Sequence, residues 1–78
     1  MKLENGKVYK VNHTRKGNFD LYVESQVELQ DETWITGIIV EGKAQAMLKD
    51  NEKFVGDEIT VRKSLLSSAS LVPLHYKN

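Results

Sequence analysis

A long alternation of apolar and polar residues runs from Phe19 to Leu29 and limits what this chain can fold into more than any other feature. The odd positions are apolar except Ser25, and the even positions are polar except the amphipathic Tyr22. A period of two is typical of a β-strand with one buried face and one solvated face. Because a strand of this length is unusual in a small domain, we expect a bulge or bend at Ser25.

The next segment, Thr33–Val40, predicts a second strand that pairs with the first in an antiparallel hairpin. It is rich in β-branched residues and apolar on both faces, which suits a central strand, and the polar turn Gln30–Glu32 precedes it. Gly37 inside this strand predicts a bulge or a close approach of two backbones. Trp34 is expected in the core, because tryptophan is highly buried on average.

Weaker patterns predict three more strands. Residues 7–14 form the first and are followed by a turn at 15–18, residues 55–62 form a turn and a strand, and residues 70–72 form the last. Residues 41–53 fit either a short strand, which we favour slightly, or one helical turn. Residues 64–70 have the serine-rich composition of a loop.

About five short strands in 78 residues predict a mainly β fold, with residues 1–78 as one domain and 73–78 as a tail. Closing a small antiparallel sheet into a barrel removes its exposed edges. We therefore expect an SH3-like or OB-like barrel, with one short helical turn as a possible addition.

Composition excludes several classes of protein. The chain has no cysteine, so disulfides, thiolate catalysis and the usual zinc clusters are excluded. The longest aliphatic run, Ile38–Val40, is far shorter than the roughly 20 residues of a membrane helix. Because the first residues lack the apolar segment of a secretory signal, we expect a cytoplasmic protein with no membrane partner.

The residues that usually carry catalysis are few and scattered. His13 and His75 have no metal-ligand spacing, the serines of 64–70 match no nucleophile motif, and the paired acids lie in predicted turns. We therefore predict no enzyme, no metal and no cofactor. A catalytic or nucleotide-sequestering pocket at an oligomer interface is the least favoured alternative.

Charge is balanced overall but unevenly distributed. Residues 1–16 carry a net +4, residues 17–60 carry −7, and the remainder carries +3. The two basic ends would form one rim if they met in the fold, and such a rim would contact the phosphates of a nucleic acid. The candidate residues are Lys10, Arg15, Lys16, Arg62 and Lys63 for phosphates, with Tyr22 as a stacking surface for a base.

Two stretches together resemble a known group of proteins. The residues that carry this resemblance are Gly6–Phe19, and then Trp34, Gly37, Gly42–Ala44, Asn51 and Gly56–Ser64. Their layout resembles small, functionally uncharacterised proteins of tailed bacteriophages over about residues 6–64. Separately, Val55–Val61 is similar to the Gly-Asp turn and strand of S1-type and KOW-type nucleic-acid-binding barrels.

The phage resemblance implies action by binding rather than by catalysis, in the cytoplasm of a host. We accordingly expect a non-catalytic β-barrel that binds a host or other partner protein through the 19–40 hairpin or its acidic edge, since acidic residues suit a basic partner surface. Binding of nucleic acid through the basic rim is the alternative. An exposed sheet edge would also allow a homo-oligomer.

Overall fold

The computed structural model describes residues 1–73 and forms six β-strands, all paired antiparallel, with two 3-10 turns and no α-helix among them. The predicted mainly β fold is confirmed, and the predicted tail 73–78 lies outside the described residues apart from Pro73. Neither helical turn is long or apolar enough to cross a membrane. The strands are β1 (Val8–His13), β2 (Gly17–Leu29), β3 (Glu32–Ala44), β4 (Lys53–Phe54), β5 (Glu58–Arg62) and β6 (Leu66–Leu71), and the 3-10 turns are Lys49–Asn51 and Lys63–Leu65.

The strands form one antiparallel sheet built around a meander. β1, β2 and β3 pair in sequence order, and β5 pairs with the other edge of β3. β6 returns to pair with the other edge of β1, and the short β4 pairs with the end of β3. No ladder joins β5 to β6 within residues 1–73, although the turn Lys63–Leu65 connects them directly.

The two long strands bend where the sequence predicted a bulge. The register between β2 and β3 shifts between Val23 and Ser25, opposite Gly37. A Cβ atom on Gly37 would lie 2.1 Å from the carbonyl oxygen of Tyr22, so only glycine fits there. Both the bulge near Ser25 and the close backbone approach at Gly37 are therefore confirmed.

The core lies on one face of the strands and includes the odd residues Phe19, Leu21 and Val23 of β2. Beyond the bulge the predicted buried face is wrong, because Ser25, Val27 and Leu29 are exposed. Leu21, Val23, Ile35 and Ile39 are fully buried, and they pack with Val11, Phe19, Ile59, Val61 and Leu66. The expectation that Trp34 lies in the core is wrong. Trp34 is only partly buried, because it precedes the buried Ile35 and neighbouring residues of a strand face opposite sides of the sheet.

Two other segments differ from expectation. β3 continues to Ala44, and the 3-10 turn Lys49–Asn51 and the short β4 follow, so residues 41–53 contain both of the predicted alternatives. The loop predicted over 64–70 is wrong, and the predicted last strand at 70–72 begins earlier. Residues 66–71 form β6, because the open edge of β1 supplies hydrogen-bonding partners to the backbone and the exposed serines need no burial.

Candidate nucleic-acid interface

A cleft of about 220 Å³ lies between the β1–β2 turn, the start of β3 and the end of β5. These elements are distant in the sequence, but the meander brings β3 and β5 together, and the 3-10 turn that follows β5 lies beside the β1–β2 turn. The residues that line the cleft include His13, Arg15, Lys16, Trp34, Thr60 and Arg62.

Trp34 and Arg62 form the wall of the cleft. They are direct cross-strand partners on β3 and β5, and the guanidinium carbon of Arg62 lies 4.9 Å from the centre of the indole ring. This distance is within the range of a cation–π contact, which holds the guanidinium over the aromatic face. The wall therefore combines an aromatic ring with a positive charge that lies over one of its faces.

The β1–β2 turn supplies two more cations and is held in place by a buried histidine. His13 is 2% exposed, and its Nδ1 accepts hydrogen bonds from the backbone N–H groups of Arg15 and Lys16, at 3.1 and 3.2 Å. The N–H of Thr14 also donates to the carbonyl of Leu65 at 2.8 Å. The turn is thus fixed against the 3-10 turn that follows β5.

The hydrogen bonds of His13 require a neutral imidazole, because a protonated Nδ1 cannot accept them. Burial lowers the pKa of His13, and the positive charges of Lys16 and Arg15 lower it further. The side chain that orients the basic turn is therefore kept uncharged near neutral pH.

An acidic group lies close to the cleft. Glu32 accepts hydrogen bonds from the backbone N–H and the hydroxyl of Ser64, which joins the start of β3 to the 3-10 turn after β5. The hydroxyl bond is the main cause that lowers the pKa of Glu32, and the charge of Arg62 lowers it by a smaller amount. Glu32 therefore stays ionised and limits how far the basic surface extends.

The sequence-predicted contact residues are divided among different parts of the surface. Arg15, Lys16 and Arg62 meet at the cleft, whereas Lys10 lines another cavity and pairs with the buried Asp20 at 3.1 Å. Tyr22 is partly buried and lines a third cavity. Lys63 follows Arg62 at the start of the 3-10 turn and is not among the residues that line the cleft.

Sequence reasoning missed Trp34 and His13 as members of this site. For Trp34 a usable signal exists, because Ile35 and Ile39 share one face of β3 and Trp34 and Thr36 share the other. For His13 the sequence gives no signal, since its role depends on the tertiary position of the turn.

Comparison with known proteins identifies no relative: no family model, no curated protein and no solved structure matches the chain. Within residues 1–73, no three histidine or acidic side chains lie close enough together to hold a metal ion. Function is therefore inferred from the cleft and the surface around it.

Proposed function

We propose that this chain is a non-catalytic small β-barrel of SH3-like form whose cleft binds single-stranded nucleic acid. The barrel form is supported by the connection between the two outer strands, β5 and β6. Only Lys63–Leu65 separates them, and the four residue steps from Arg62 to Leu66 span at most about 14 Å, so the two edges of the sheet come near each other at this end. The return of the last strand to the first, after a 3-10 turn, favours the SH3-like form over the OB-like form.

The observation that carries the functional proposal is the meeting of Arg15, Lys16 and Arg62 around Trp34. Arginine binds phosphate oxygens through paired, charge-assisted hydrogen bonds, and lysine adds a point charge. An indole ring stacks on any nucleobase, whatever the sequence, and Trp34 is partly accessible where it lines the cleft. The cleft therefore offers both contacts that binding of a single strand requires.

The charge of the whole chain favours a short single strand over a duplex. Bases inside a duplex are stacked on each other and cannot reach Trp34. A duplex also needs a long basic track, whereas this chain has no net charge and carries −7 over residues 17–60. We infer a site for a few nucleotides, which is small compared with the about 4–16 nucleotides of known single-strand-binding folds.

Fluorescence anisotropy with a labelled oligothymidine of about ten nucleotides tests the proposal. Three phosphate contacts predict that log Kobs falls with log salt concentration with a slope of about −2. The double variant Arg15→Ala/Lys16→Ala should reduce that slope by about 1.4 and weaken binding at low salt. The matched control is Lys49→Ala/Lys53→Ala, which removes the same charge from residues that do not line the cleft.

Two results would contradict the proposal. The first is the absence of any anisotropy change at low ionic strength. The second is an equal loss of binding in the control variant, which would show that only the total charge matters. Polyglutamate as a competitor distinguishes binding by charge alone from binding that includes stacking. Its carboxylates can bind the cations of the cleft, but it offers no base to stack on Trp34.

Binding of a partner protein is the second candidate function, and it depends on different residues. The outer half of the β2–β3 hairpin exposes the apolar side chains of Val27 and Leu29, which are 53% and 57% accessible. The resemblance to phage proteins, a host as the source of the partner and a cytoplasmic location remain predictions.

A further inference from the structure

β2 has one edge that pairs with no strand over its outer part. On this edge β1 pairs with β2 only as far as Tyr22, and the N-terminal segment forms backbone hydrogen bonds with Val23. The side chain of Gln26 then binds the carbonyl of Leu3 at 2.7 Å. Beyond that contact, no strand within residues 1–73 pairs with Val27–Leu29 on this side.

The side chains along this edge alternate in character. Val27 shares a face with Trp34, its cross-strand partner, and Leu29 lies on the same face two residues further on. Glu28 points to the opposite face, where it accepts a hydrogen bond from Thr33. An added strand would therefore meet apolar side chains on one face and a carboxylate on the other.

The charge of the hairpin itself has one sign. Between Gly17 and Gly42 the chain has no lysine or arginine, and the outer half of the hairpin carries the four acids Glu24, Glu28, Asp31 and Glu32. A second copy of the chain pairing antiparallel on this edge would place its own acids against these, and like charges on facing strands are destabilising. The same acids attract a basic strand.

We propose that this edge binds, by strand addition, an extended basic segment of a partner protein in which apolar and basic residues alternate. Backbone hydrogen bonds to those residues of Val27–Leu29 whose N–H and C=O groups face away from β3 provide the affinity, and Glu28 selects lysine or arginine at alternate positions. This inference deepens the second candidate function and does not depend on the nucleic-acid cleft.

The test uses the ¹⁵N-labelled full chain and a blocked peptide of alternating valine and lysine, with a valine–glutamate peptide of equal length as the matched probe. We expect the lysine peptide alone to shift the amide resonances of Val27, Glu28 and Leu29. Glu24→Gln/Glu28→Gln should weaken its binding between about two- and thirty-fold. Glu24→Lys/Glu28→Lys should reverse the preference, so that the valine–glutamate peptide binds better than the lysine peptide. Asp50→Lys/Glu58→Lys makes the same change in charge and should leave the preference for the lysine peptide unchanged.

Arg15→Ala/Lys16→Ala should leave peptide binding unchanged. A negative result for the edge can therefore be distinguished from a negative result for the nucleic-acid cleft. Amide shifts absent from residues 27–29, or a preference that the reversed variant retains, would overturn the proposal. A dimer detected by sedimentation, together with protection of these amides from solvent exchange, would also overturn the proposal, because a second copy would then occupy the edge.

Discussion

Gly37 is the residue at which the fold leaves least room for a side chain. Replacing it by alanine would force a Cβ atom against the backbone of Tyr22, so the β2–β3 register would have to shift. We expect Gly37→Ala to lower the free energy of unfolding by about 2–4 kcal/mol, measured by urea denaturation.

The control for this substitution is Gly56→Ala. Gly56 has a φ of +96° and no heavy atom within 4 Å of the added Cβ, so only the backbone conformation opposes the change. We expect a loss of about 1 kcal/mol there. Equal losses at the two positions would show that the close approach at Gly37 is unimportant.

His13 gives the molecule a pH dependence that follows from its lowered pKa. A depressed pKa in the folded state means that the unfolded chain binds a proton more readily. The stability contributed by His13 is therefore complete above about pH 6.5 and is lost as the pH falls through the lowered value. Urea denaturation at about pH 7.5 and about pH 5.5 should show this loss.

His13→Asn should flatten the pH dependence in that window, because an asparagine side chain also accepts backbone hydrogen bonds but does not titrate. His75→Asn removes the only other histidine of the chain and serves as the matched control. If the His75 variant flattens the profile and the His13 variant does not, the role assigned to His13 is wrong.

At the scale of single elements, the β2–β3 hairpin closes with a turn that its residues do not favour. Gln30 and Asp31 both have positive φ, at 52° and 63°, which is the geometry that Asn-Gly fits best. We expect Gln30→Asn/Asp31→Gly to raise the free energy of unfolding by about 1 kcal/mol, measured by urea denaturation. A decrease would mean that the turn has another conformation in solution.

The elements differ in how well the sequence predicts them. The alternation in β2 predicts that strand, and it predicts the buried face as far as Val23, because burial on one side selects every second residue. Beyond the bulge Val27 and Leu29 are exposed, so the pattern there does not predict burial. β6 is not predictable in this way, since its serines form a strand only because the edge of β1 is available. A local pattern cannot show a strand that depends on a distant backbone partner.

At the scale of the whole molecule, the mainly β class follows from the sequence, whereas the composition of the site does not. The two basic ends do meet in part, since Arg15, Lys16 and Arg62 line one cleft. The positions of Lys10 and Tyr22 elsewhere depend on strand register, which the sequence does not specify. Register also places Trp34 beside Arg62.

Trp34 is the only tryptophan of the chain, so its fluorescence reports directly on the cleft. Titration with unlabelled oligothymidine of about ten nucleotides at low ionic strength is the most direct test of the central claim. We predict a saturable change in Trp34 emission that added salt reverses and that Arg15→Ala/Lys16→Ala weakens. No change in emission, even where anisotropy detects binding, would contradict the claim and place the nucleic acid away from Trp34.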